Sequence, residues 1–114
     1  MPLFKIITNT EKTASEKKEI AKKASKLIAE KTGKPERYVM VLVKTGADML
    51  FGGSDEPLAF CEMKSIGLLE SQNKMLSDAI CNFIEAEFKI NASRVYIEFA
   101  SAQGSMWGWN KSTF

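Results

Sequence analysis

The stretch Arg37-Tyr38-Val39-Met40-Val41-Leu42-Val43-Lys44 decides the fold. It is almost continuously apolar and short, the signature of a strand buried on both faces. Immediately before it, Gly33 and Pro35 stop a helix. That helix carries Ile20, Ala21, Ala24, Leu27, Ile28 and Lys31 at an i, i+4, i+7, i+8 spacing. Ser15 is placed as its N-cap; this puts Lys18 at the third position, so no capping box is expected, while Glu16 suits the positive helix end. Further back, Leu3 to Thr8 is a short β-prone segment. The first half of the chain is therefore β-α-β.

Beyond Lys44 the pattern repeats. Thr45-Gly46-Ala47-Asp48 is a turn, Met49-Leu50-Phe51 is apolar, and Gly52-Gly53-Ser54-Asp55-Glu56-Pro57 is a strong loop signal. Leu58 to Ile66 reads as a strand ended by Gly67. Glu70 to Lys89 is a second amphipathic helix with Leu76, Ile80, Phe83, Ile84 and Phe88 on its apolar face. After the linker Ile90-Asn91-Ala92-Ser93, Arg94 to Phe99 alternates as a strand. Two β-α-β units, each with a right-handed crossover, give an α/β class. Arg37-Tyr38-Val39 and Arg94-Val95-Tyr96 form a faint internal echo, each soon after its helix.

A chain of 114 residues is one domain, 1–114, and 45% hydrophobic content is enough to build a core. Sixteen basic against 14 acidic side chains leave +2, too little to argue for nucleic acid. Residues 1–37 carry ten of the basic and five of the acidic groups. Glu16 and Glu19 are interleaved and no aromatic residues intervene, so this is read as a solvated helix face. No apolar run approaches the roughly 20 residues that span a bilayer, and the start has no leader pattern. A cytoplasmic protein is expected, with leaderless export as the alternative. Histidine is absent, which removes Ser-His-Asp and Cys-His nucleophile systems and imidazole zinc sites. Cys61 and Cys81 form no CxxC pair and read as reduced packing residues.

In a chain without histidine, Pro2 is the notable base. Proline at an edge-strand start is ordinary. With Met1 removed, however, it becomes a terminal secondary amine near pKa ~8, which burial or a nearby cation lowers towards neutrality. Lys34 sits at the corner between Gly33 and Pro35; it either complements the helix end or holds a carboxylate. The tail from Ala100 to Phe114 places Met106, Trp107, Trp109 and Phe114 among glycines. A small domain has little core to absorb them, so they are expected to be buried by another subunit or around a ligand rather than in a self-folded tail.

Taken in order, several segments resemble the macrophage migration inhibitory factor family of the tautomerase superfamily. They are Met1-Pro2-Leu3-Phe4, Thr32-Gly33-Lys34-Pro35 with Tyr38, Phe51-Gly52-Gly53-Ser54 through Glu56-Pro57, Ser65-Ile66-Gly67, Arg94-Val95-Tyr96-Ile97, and Gly108-Trp109-Asn110 with Ser112-Thr113-Phe114. The resemblance implies a homotrimer whose sheets surround a central channel, with active sites between subunits. It implies keto–enol tautomerisation of phenylpyruvate-type α-keto acids and dopachrome-like compounds without metal or cofactor. By position it makes Pro2 the base, with Lys34 and the backbone of Ile66 on the substrate's acid end. Tyr96 enters from the neighbouring subunit, and Tyr38, Trp109 and Phe114 line the aromatic side. A cytokine-like ligand with a vestigial pocket and an unidentified protein receptor is the rival reading. The chain departs from the family pattern at three places. Leu58 stands where a CxxC pair would begin, so no dithiol chemistry is expected. Glu98 replaces a pocket asparagine and Trp107 a smaller aliphatic residue, both bearing on substrate range.

Overall fold

Thr13, not Ser15, caps the first helix. The computed structural model describes residues 1–114. In it, Thr13 Oγ1 accepts from the Glu16 N–H (3.1 Å), and Glu16 Oε1 accepts from the Thr13 N–H (2.9 Å). This is the reciprocal capping box that a start at Ser15 excludes. The box also holds the Glu16 carboxyl below its usual range, chiefly through the Thr13 backbone N–H. Helix α1 then runs Ala14–Thr32 and ends where Gly33 adopts φ 71°, a left-handed turn that a side chain would strain.

The remaining elements are β1 (Leu3–Thr8), β2 (Met40–Lys44), β3 (Ala59–Ile66), α2 (Glu70–Phe88) and β4 (Val95–Ala102), followed by the two-residue strands β5 (Gly108–Trp109) and β6 (Ser112–Thr113). The main sheet has the order β2-β1-β3-β4. Strands β1 and β2 pair in parallel, as do β3 and β4, while β1 and β3 run antiparallel and join the two β-α-β units. The internal echo is one residue out of step in space. Val39 and Val95 each close a short 3-10 turn, so Tyr38 corresponds to Arg94.

Both helices cover one face of the sheet. Phe4, Ile6, Cys61 and Met63 from the strands meet Ile20, Ala24, Ile28, Leu76, Ile80, Ile84 and Phe88 from the helices in a continuous core. Each large side chain buried there contributes about 1.5–3 kcal/mol. Lys23 of α1 reaches Glu87 of α2 at 3.3 Å across the helix layer. The other face has no helical cover. Strand β2 is therefore not buried on both faces as its composition predicts: Met40 and Leu42 stand 66% and 44% exposed beside Leu3 and Lys5 of β1. On that open face Glu62 pairs with Lys5 (3.5 Å) and Lys64 (3.3 Å), and these cations and the Lys64 hydrogen bond hold its carboxyl below the usual range.

The strand before the tail is longer than expected. Strand β4 continues past Phe99 to Ala102, and the chain then folds back on its own subunit. Asn110 and Lys111 take φ of 51° and 65° and turn a two-residue hairpin between β5 and β6. Phe114 N–H donates to Trp107 O (3.2 Å). Gly104 permits this closure, because a Cβ there would lie 2.7 Å from the Phe114 carbonyl oxygen. The hairpin anchors the aromatic rings while leaving Trp109 and Phe114 52% and 38% exposed.

Candidate active site

Pro2 immediately precedes β1 and is buried. Its carbonyl accepts from the Met40 N–H (2.9 Å), which fixes the terminus against β2 before the ladder proper starts at Leu3. Beside it lies a cavity of about 400 Å³ walled by Tyr38, Met40, Trp107, Trp109 and Phe114, with Met1 also on its lining. The aromatic wall is packed as a unit. Trp109 and Phe114 stack at 5.2 Å and 15°, and Tyr38 meets each edge-on, at 5.7 and 5.8 Å. The Arg37 guanidinium lies 4.8 Å from the Tyr38 ring centre on the same cavity wall.

Two cations stand at the site, Arg37 on the cavity wall and Lys34 within reach of the terminal amine. Lys34 is half-buried at the Gly33 corner and makes no ion pair. Its charge still reaches the terminal amine. Burial, first, and Lys34, second, hold the Met1 ammonium below the usual α-amino range. Both act against the protonated form, so a terminal amine here is available as a base closer to neutrality.

Among the residues singled out from sequence, Pro2, Tyr38, Trp107, Trp109 and Phe114 converge on this one cavity, with Lys34 within electrostatic reach. Ile66 ends β3, two residues beyond the Lys64–Leu3 pair and so on the side of the terminus, but it does not line the cavity. Tyr96 and Glu98 stand elsewhere, exposed on the open face of β4. Glu98 is opposite Glu62 in the β3–β4 register, without the lysine partners that Glu62 has. Arg37 and Met40 are cavity residues that strand patterning alone passes over. Their adjacency to Tyr38 was the available signal.

The cysteines behave as packing residues. Cys61 is fully buried on the helix side of β3, and burial, with a smaller contribution from Cys81, pushes its thiol up to about 12. Cys81 is half-buried and also raised, mainly by burial. The thiolate is the reactive form. The folded protein at pH 8 is expected to take up iodoacetamide slowly at Cys81 and not at Cys61, with both modified after unfolding. Peptide mass mapping checks this, and rapid native labelling of Cys61 would show that β3 opens readily.

A two-layer fold of paired β-α-β units, with its amino terminus lining an aromatic cavity, has the architecture of the tautomerase superfamily. The comparisons agree over the full length. The family model for macrophage migration inhibitory factor matches residues 1–114. The homolog from Brugia malayi is 40% identical, aligned over 100% of this chain and 99% of the relative. The factor from Xenopus tropicalis is 36% identical with the same coverage. A crystal structure of the homologue from Prochlorococcus marinus superposes with a TM-score of 0.92 at 38% identity, covering 98% of each chain. The Entamoeba histolytica protein gives 0.92 at 34%, covering 99% of this chain and 98% of that one. The chain belongs to the macrophage migration inhibitory factor family. Membership supports tautomerase or cytokine-like function in general, and an isomerase among enzymes. No helix is long and apolar enough to cross a membrane.

Proposed function

We propose that the protein is a homotrimeric keto–enol tautomerase acting on phenylpyruvate-type α-keto acids, with Pro2 as general base after removal of Met1. The observation that carries this reading is the burial of Pro2 at the floor of an aromatic cavity where burial and Lys34 both disfavour a protonated amine. The Pro2 nitrogen takes a proton from the carbon next to the ketone. The C–H electron pair becomes the enol double bond, and the carbonyl oxygen takes up a proton; the reverse step returns the proton to carbon. Lys34 neutralises the substrate carboxylate, joined by the backbone at Ile66. Tyr38, Trp109 and Phe114 pack the aromatic ring, and Trp107 narrows the cavity. Tyr96 and Glu98, remote from the cavity of their own subunit, would serve the site of a neighbour. The exposed apolar residues Met40 and Leu42 on the open sheet face give the trimer its surface to bury. Sedimentation should then give about three times 12.7 kDa.

The deciding experiment is turnover of phenylpyruvate by the processed protein and by Pro2→Gly. Loss of about a hundredfold or more in kcat/KM is expected. Equal turnover by the two would sink the proline mechanism. The rival, a cytokine-like ligand, is favoured by the relatives named macrophage migration inhibitory factor. Receptor signalling that survives Pro2→Gly undiminished would separate the two roles.

Glu98 tunes this reading. Its carboxylate, uncompensated by lysine, repels an acidic substrate in a site where the dielectric is below that of water. Glu98→Gln is expected to lower KM for phenylpyruvate about threefold or more, and more at low ionic strength. An unchanged or higher KM would mean that Glu98 points away from the substrate or holds it by a hydrogen bond.

A further inference from the structure

Arg94 stands at the foot of β4 and spends its guanidinium on main-chain carbonyls of one loop. Nε donates to Pro57 O (3.1 Å), Nη1 to Phe51 O (3.1 Å), and Nη2 to Ser54 O (3.0 Å) and Glu56 O (3.0 Å). The planar fork suits such convergent acceptors, which an ammonium could not serve together. The loop is closed further by two hydrogen bonds between Phe51 and Ser54, at 2.9 and 3.1 Å. The same guanidinium lies 5.3 Å from the Phe51 ring centre. The backbone and the ring of Phe51 are thus both held by one side chain.

What Phe51 in turn holds is Tyr96. Their ring centres are 4.6 Å apart, tilted by 45°. Tyr96 is 65% exposed on an edge strand, and its hydroxyl makes no hydrogen bond within the subunit. Without a neighbour, such a ring samples several rotamers, and ordering it on binding costs affinity. The stack on a pinned ring removes that freedom in advance.

We infer that Phe51, anchored by Arg94, is a positioning residue that holds the Tyr96 ring ready to reach into the neighbouring subunit's cavity. This rests on the reading that Tyr96 completes a neighbour's site. Since Tyr96 moves no proton, loss of its ordering appears in KM and not in kcat.

The test uses the processed, full-length protein with Phe51→Leu, Phe51→Tyr, Tyr96→Ala and the double variant Phe51→Leu/Tyr96→Ala. The Arg94 hydrogen bonds go to backbone carbonyls, so the ring substitutions leave the loop clamp in place. Phe51→Leu is expected to raise KM for phenylpyruvate roughly three- to tenfold with kcat within about twofold, and Phe51→Tyr to keep the wild-type KM. In the Tyr96→Ala background, Phe51→Leu should add nothing further. An unchanged KM in Phe51→Leu, or an additive rise in the double variant, overturns the inference. If the unsubstituted protein turns over no phenylpyruvate, the tautomerase reading falls on its own. The positioning is then judged by NMR: ring-current shifts of the Tyr96 ring protons that vanish in Phe51→Leu support it, and identical Tyr96 resonances in both proteins overturn it.

Discussion

Protein that retains Met1 is expected to be folded and trimeric but to have lost at least about a hundredfold in tautomerase kcat/KM. With Met1 attached, the Pro2 nitrogen belongs to an amide, and its lone pair is delocalised into the carbonyl. It has no basicity to offer. Met1 also lines the cavity that the substrate would enter. Its own amine is a base of lowered pKa. That amine is nonetheless displaced from the Pro2 nitrogen by roughly one residue, about 3–4 Å along the chain. Misplacement by even about 1 Å is enough to cost a factor on the order of a hundred in rate. The fold is indifferent to the change, because the core residues lie on β1, β3, β4, the helices and Ile90, and Met1 is not among them. Intact mass gives the processed fraction of a preparation, and activity should rise in proportion to it. A homogeneous Met1-retaining sample with full turnover would remove Pro2 from the mechanism.

The fold was legible where periodicity carries it. Two apolar stripes at helical spacing and four short apolar runs lead to two β-α-β units, and the sheet order with its parallel pairs realises them. Periodicity cannot say what covers a face. Met40-Val41-Leu42-Val43 reads as doubly buried, yet both helices lie on the same side and leave Met40 and Leu42 open. Nor does it weigh two hydroxyl residues as rival caps where only Ala14 separates Thr13 from Ser15. Thr13 prevails over Ser15 because only Thr13 places a glutamate at the third position.

The cavity was legible in part for a related reason. Pro2, Tyr38, Trp109 and Phe114 stand far apart in sequence and meet because the β5–β6 hairpin returns the tail to the amino terminus. Aromatic density in the tail signalled that something must cover those rings, and only the family resemblance set Tyr38 beside Trp109 and Phe114. Tyr96 and Glu98 could not be placed by any local pattern. They alternate on β4 towards the face that carries no helix.

Lys34→Ala is expected to show two separable effects. The first is on binding: removal of the unpaired, half-buried ammonium leaves the substrate carboxylate without its counter-charge. A charge-assisted contact contributes about 1.5–3 kcal/mol, so KM for phenylpyruvate should rise about ten- to hundredfold. The second is on the base. Burial and Lys34 both lower the Met1 amine, burial the more, and the Pro2 amine freed by processing is expected to feel both. Without Lys34 the amine keeps the burial effect and loses the repulsion, so its pKa moves up, part of the way to the ordinary α-amino value. The base works unprotonated, so kcat/KM rises with pH through that pKa, and the acid limb of the profile should shift to higher pH. Lys34→Arg separates the effects: its charge keeps the acid limb in place, while its planar fork and different reach leave KM only partly restored. Stability should change little, since Lys34 makes no ion pair. A raised KM with an unmoved acid limb would leave Lys34 a substrate anchor and assign the depressed amine to burial alone. An unchanged KM would take Lys34 out of the site.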